Sequence, residues 1–361
     1  MTHLLGAGAQ TAVGHSLVAS AAATRAGLGQ LVEHAKLVDR SGEPVVVASA
    51  PWLDDDLDGA ARLIQLGRRA VRGALAQAGR RSRRSFEGAP LQVFLALPPP
   101  RPGRAPDLEA QVATGLGEAL EGLGSEVAIE VIPRGHAAGL AAIARAHQAI
   151  REGRAEICLA GGIDSYLDPA TIAWLDETHQ LRSTENRWGF TPGEAAGFCV
   201  LASEAYVSRH RLRSLAAVLG VGLAEEPHRI KSGTVCTGEG LTRAFESALA
   251  ALPDGARVDR QLCDLNGEPY RTDELGFTLV RMARRFVDPS AIVAPADGWG
   301  DIGAATGPLL AGLVTAAVAR GHARDRHSLL WASSEDGLRA AVLISAEPTI
   351  FGTARASKRT L

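Results

Sequence analysis

An α/β fold with a mainly parallel sheet, built as two similar halves, is what the sequence predicts. Two observations carry this. Short apolar runs alternate with helix-length amphipathic segments along the chain, the pattern of successive βα units. Around residues 208–214 that pattern starts again, so residues 1–207 and 208–361 read as an N-terminal and a C-terminal half. A chain of 361 residues is also long enough for two such units at ~150 residues each.

The elements follow in order. "LLGAGA" (4–9) is an apolar strand, and "SLVASAAATRAGLG" (16–29) its helix. "PVVVASA" (44–50) is the next strand. Leu63, Ile64, Leu66, Ala70, Val71 and Leu75 fall on one face of a helix over 62–79. "RRSRRSFEG" (80–88) is a solvated basic turn. "LQVFLALPPP" (91–100) is a buried strand stopped by prolines, and "RPGRAP" (101–106) an extended surface loop, since proline restricts the residue before it. A helix (107–124) and a strand, "EVAIEVIP" (126–133), come next. Then "GHAAGLAAIARAHQAIREGRAEICLAGG" (135–162) reads as a tight turn, a long helix and a buried strand, which puts His136 at a helix N-terminus. "GFTPGEAAGFCVLASEAYVSRHRL" (189–212) is a turn, a strand and a basic surface helix. In the second half, "LAAVLGVGLA" (215–224) is a strand, "GEGLTRAFESALAAL" (238–252) a helix and "RQLCDLNG" (260–267) a strand. Residues 290–321 give a strand, a loop and a helix, and "SLLWASSEDGLRAAVLISA" (328–346) a hairpin.

Composition narrows the function. Hydrophobic residues make up 46% and charged residues 22%, enough for a sizeable core. The net charge of -2 gives no basic footprint for nucleic acid. No apolar run reaches the ~20 residues of a membrane span, and the first residues lack a signal peptide's basic region, so a cytoplasmic protein is expected. Cys158, Cys199, Cys236 and Cys263 form no CxxC pair and read as reduced, mostly buried residues. No His or Cys cluster has the spacing of a metal site, and "GAGAQTAVG" (6–14) lacks the GxGxxG of a dinucleotide fold. No metal or cofactor is expected.

Several segments together resemble the β-ketoacyl synthases of the thiolase superfamily. "LLGAGAQTAVGHSLVASAAATRAG" is similar to their opening strand and helix, and residues 135–169 to their nucleophile turn, helix and strand. "RWGFTPGEAAGFCVLAS", with Phe190, looks like their Phe-rich turn. "CDLNGEPYRTDELG" and "WGDIGAATGPL" lie where they carry two histidine loops. The resemblance implies a thiolase-like αβαβα five-layered fold of two duplicated βα halves, usually a homodimer.

The chemistry departs from that pattern. A ketosynthase needs a low-pKa thiolate at a helix start and pre-placed donors for developing negative charge. The cysteine position holds His136. The first histidine position holds Glu268, after Asn266 and Gly267. The second holds Gly300, between Trp299 and Asp301, and the lysine position holds Pro295. Asp264, Asp297, Asp301 and Glu239 add acidic groups from nearby loops. A helix N-terminus disfavours imidazolium, so a lowered pKa is expected for His136.

Three readings follow. One is a His136–Glu268 dyad for acyl transfer, hydrolysis or proton transfer, in a pocket with Asn266, Asp297, Trp299, Gly300, Asp301 and Phe190. Another is an acyl-thioester-binding protein without turnover. The third is a non-catalytic accessory or scaffold protein, its pocket plugged by Trp299, whose partner is an acyl carrier protein or a secretion effector. The phrases "GHAAGL", "CDLNGEPYR" and "APADGWGDIGAATGP" are similar to short thiolase-like proteins encoded near type VI secretion genes, which is where the effector expectation comes from. An open tunnel would favour the first two; Trp299 over His136 would favour the third. The loop at 233–242 is expected to border the acyl channel, with Cys236 either a loop cysteine without a role or an exposed, reactive one. The segment at 177–188 is expected at the surface.

Overall fold

The computed structural model describes residues 1–54, 56–79, 90–121, 126–230 and 232–346. The basic turn expected at 80–88 lies outside the described residues. The strands are β1 (Thr2–Gln10), β2 (Val32–Val38), β3 (Pro44–Val47), β4 (Leu91–Ala96), β5 (Val127–Ile132), β6 (Ile157–Ser165), β7 (Glu194–Ser203), β8 (Ala216–Glu225), β9 (Arg260–Cys263), β10 (Ile292–Val293), β11 (His327–Ser333) and β12 (Leu338–Ser345). The helices are α1 (Leu17–Arg25), α2 (Gly59–Ala78), α3 (Leu108–Leu120), α4 (Ala138–Arg151), α5 (Pro169–Glu177), α6 (Glu204–His210), α7 (Glu239–Leu249), α8 (Pro269–Met282), α9 (Ala296–Trp299) and α10 (Thr306–Ala319).

Ten strands form one sheet in the order β10-β9-β11-β12-β8-β1-β7-β6-β4-β5. The N-terminal set β5-β4-β6-β7-β1 has its counterpart in β10-β9-β11-β12-β8, and the two meet where β1 pairs with β8. Of the nine neighbour pairings, five are antiparallel, which corrects the mainly parallel sheet read from the sequence. Apolar alternation reports that a strand exists, not its direction, and the last strand of each set turns back against its neighbour. β2 and β3 form a separate two-stranded ribbon, so "PVVVASA" lies outside the main sheet.

Helices cover both faces and fill the space between the halves. α2 and α3 pack Leu66, Ala70, Val112 and Leu116 on Val93, Leu159 and Phe198. α4 and α10 form the central layer, with Leu140, Ile143, Leu309 and Leu310 among Phe94, Cys199, Leu330 and Val342. α7 and α8 cover the far side, where Phe245 and Leu275 meet Leu329, Trp331 and Leu343. Successive strand side chains point to opposite faces, so Leu330 enters the central layer while Leu329 and Trp331 enter the outer one. The result is the five-layered, thiolase-like α/β arrangement expected. Among the described residues, no helix is long and apolar enough to cross a membrane.

Candidate functional site

The two central helices begin alike. Each follows a three-residue 3₁₀ turn: Gly135–Ala137 leads into α4, and Gly303–Ala305 into α10. Gly135 has φ +68°, a left-handed conformation that glycine adopts freely and that lets the chain reverse from β5 into α4. The turn is pinned from the other half: the Ser334 hydroxyl accepts from the Ala137 N–H at 2.9 Å and donates to the Arg134 carbonyl. His136 stands at the first helix start and Asp301 just before the second.

These two residues face each other. His136 Nε2 lies 2.8 Å from both carboxylate oxygens of Asp301. Asp301 also accepts from the Gly303 N–H at 2.9 Å and the Asn266 amide at 2.6 Å. The partner of His136 is therefore Asp301, which corrects the expected His136–Glu268 dyad. Glu268 is the N-cap of α8 and is held away by other donors. It accepts from Asn266 at 3.0 Å, Gln180 at 3.2 Å and Arg271 at 3.2 Å.

Arg271, only 1% exposed, ties the cluster together. Its guanidinium donates to Asp264 at 2.7 Å and to the Ser333 carbonyl at 2.8 Å. Its Nη2 lies 3.3 and 3.5 Å from the two His136 ring nitrogens. The sequence reading missed Arg271. Its signal was available, since it stands three residues after Glu268 at a helix start, where such side chains share a face.

Electrostatics reverse the expected direction of the His136 pKa shift. Burial disfavours the imidazolium, and Arg271 opposes it too. The adjacent Asp301 carboxylate outweighs both, and the pKa of His136 is raised rather than lowered. Burial likewise penalises the Asp301 carboxylate, but His136, Arg271 and Asn266 hold its pKa well below the ordinary range. The helix-start argument considered the helix end alone and left out the carboxylate. With both Asp301 oxygens on it, Nε2 of His136 is committed and is not available as a free base or nucleophile.

A raised histidine pKa contributes stability in full at and below its ordinary value of ~6.5 and loses it as pH climbs past the raised value. Asp301 contributes above its ordinary ~3.9 and loses it as pH falls through the depressed value. The stability difference between the wild type and His136→Asn is therefore expected to be larger at about pH 6 than at about pH 9. Urea midpoints at the two pH values check this; a difference that grows with pH contradicts it.

Little space remains beside the pair. A void of about 10 Å³ is lined by His136, Asp264, Pro295, Trp299 and Asp301, among others. A second of about 40 Å³ lies on the other side of His136, against Arg101, Tyr166, Phe190 and Glu335. A water needs ~10–15 Å³, so neither void admits an acyl thioester. Trp299, 1% exposed, lines the first of these voids. Gly300 brings no side chain: a Cβ there would lie 2.8 Å from the Thr191 carbonyl oxygen, at φ +67°.

Other expectations are corrected. Asp297 and Glu239 are exposed and do not join the cluster. The segment at 177–188 is not wholly at the surface: Gln180 is buried and bonds both Glu268 and Glu335. Cys236 is part-buried, and burial pushes its thiol up to about 11, with Glu274 adding to the shift.

The chain shares its fold with solved ketosynthases. Residues 135–205 match the family described as beta-ketoacyl synthase, N-terminal domain. A putative polyketide beta-ketoacyl synthase 1 of Streptomyces halstedii is 29% identical over 152 residues, 38% of this chain and 36% of that protein. The match thus spans about a third of that relative's length. Two solved structures share the fold. One is the ishigamide ketosynthase/chain length factor, with a TM-score of 0.79 and 19% identity over 96% of this chain and 99% of that one. The other is a type II polyketide synthase acyl-carrier protein in complex with its ketosynthase, with a TM-score of 0.78 and 16% identity over 96% of this chain and 99% of that one.

Proposed function

We propose that this chain is a catalytically degenerate ketosynthase-like protein with an accessory or scaffold role. The observation that carries the reading is the closed His136–Asp301 pair. It stands where the nucleophile would be, is buried, and is flanked by voids of only about 10 and 40 Å³, too small for a thioester. An enzyme acting through His136 would need a free ring nitrogen and space for a substrate carbonyl.

A scaffold acts through its surfaces. β5 is an edge of the large sheet, with the sequence Val-Ala-Ile-Glu-Val-Ile, half-buried and without proline or lysine. Such an edge is a template for pairing with another chain. It would serve a homodimer or a pairing with an active relative, in the way that the names of the structural neighbours join ketosynthases to chain length factors and acyl-carrier proteins. An acyl carrier protein or a type VI secretion effector would be the further partner. The effector rests on the sequence resemblance alone.

Intact-protein mass spectrometry after incubation with acyl- and malonyl-thioesters tests the reading. No covalent adduct and no thioester hydrolysis above buffer are expected. An adduct or hydrolysis lost in His136→Ala would overturn it.

A further inference from the structure

Away from His136, a cleft of about 770 Å³ opens between α1, the C-terminal part of α10 and strands β9 to β11. That volume lies within the ~300–1,000 Å³ of small-molecule sites. The cleft is unlike the voids at His136, which hold no more than a water or two.

Its lining has two parts. The floor is apolar and includes Leu262, Val293, Leu313 and Val314, with alanines such as Ala21 and Ala317 leaving the walls low. Of its polar groups, the Gln77 side-chain amide oxygen already accepts from the Ala7 N–H at 2.7 Å. The rim is cationic. Arg260 is held by Asp325 at 3.0 Å. Arg25, the last residue of α1, and Arg320, the C-cap of α10, line the cleft too. Among the described residues, neither has a carboxylate partner. Both also stand at helix C-termini, where a cation is favourable by itself. That alone would not require the two ends to meet over one apolar cleft.

A hydrocarbon floor under a rim of uncommitted guanidinium groups matches one ligand chemistry. We propose that this cleft binds an anionic amphiphile, a fatty carboxylate, with its chain on the Leu262–Leu313–Val314 floor and its head group at Arg25 and Arg320. Burial of the chain supplies the non-directional attraction, and the guanidinium groups select the charge. The assignment does not depend on whether His136 is catalytic, because it uses none of the residues around that pair.

Isothermal titration with dodecanoate tests the proposal, with dodecyltrimethylammonium as the charge control. The wild type is expected to bind dodecanoate and to ignore the cation. Arg25→Ala combined with Arg320→Ala, both at exposed positions, is expected to weaken dodecanoate binding about tenfold or more, the scale of charge-assisted hydrogen bonds. Leu313→Trp, confirmed as folded by its thermal transition, is expected to block the floor and abolish binding. Three outcomes overturn the proposal: no dodecanoate binding by the wild type, unchanged affinity in the double arginine variant, or equal binding of the cationic amphiphile. If Leu313→Trp does not fold, the arginine variant and the charge control still decide.

Discussion

Replacing Arg271 by methionine is expected to destabilise this protein by about 3–5 kcal/mol, the range seen when one partner of a buried ion pair is removed. The guanidinium is enclosed and pairs with Asp264 and Glu268, both buried. Without it, Asp264 and Glu268 are left in a low-dielectric interior near the Asp301 carboxylate, stripped of the guanidinium that pairs with them. The asymmetry is the point: the intact set contributes little net energy against an apolar isostere, but half a set is costly. Arg271→Met combined with Asp264→Leu is therefore expected to cost less than the sum of the single changes, a coupling that a double-mutant cycle measures. Urea unfolding of the four proteins checks both statements. A loss below about 1 kcal/mol for Arg271→Met would show that the network is better solvated than its burial implies.

The second large effect is at Trp299. Truncation to alanine removes one of the largest fully buried side chains and is expected to cost about 3–5 kcal/mol, transfer and cavity terms together. Trp299→Phe separates packing from polarity. The indole N–H has no partner among the described residues, so the phenylalanine variant also removes a buried orphan donor. Its cost is expected to stay under about 1.5 kcal/mol. Equal losses in both variants, read from urea midpoints, would mean that the ring edge and not its bulk matters. Opening the pocket with Trp299→Ala is not expected to create thioester turnover, because space alone supplies no thiolate.

Much of the architecture was legible in the sequence, because it rests on periodicity and turn chemistry. "SLLWASSEDGLRAAVLISA" reads as a hairpin and is one, with Leu330 opposite Val342. "GHAAGL" reads as a helix start and is one, with Gly135 at positive φ. Strand direction was not legible, since alternation is the same for parallel and antiparallel neighbours. At the site, the sequence placed His136, Asn266, Trp299 and Asp301 correctly near one another but paired His136 with the wrong carboxylate. The physical reason is local. Glu268 opens α8 and turns to Arg271, Asn266 and Gln180, whereas Asp301 caps the turn before α10, directly facing the turn that carries His136. That register is a property of the two helix starts meeting in space, which spacing along the chain does not encode. Gln180 escaped notice because its polar segment reads as surface, although Gln180 and Leu181 both turn inward.

The central claim is that His136 is an internally paired residue with a raised pKa rather than a replacement nucleophile. The ¹⁵N chemical shifts of its imidazole ring at about pH 7.5, assigned by comparing histidine-labelled wild type with His136→Asn, test this most directly. The account predicts that both ring nitrogens are protonated at a pH where an ordinary histidine is mostly neutral. A neutral ring with one bare nitrogen at that pH would contradict it, and would return His136 to the role of a base.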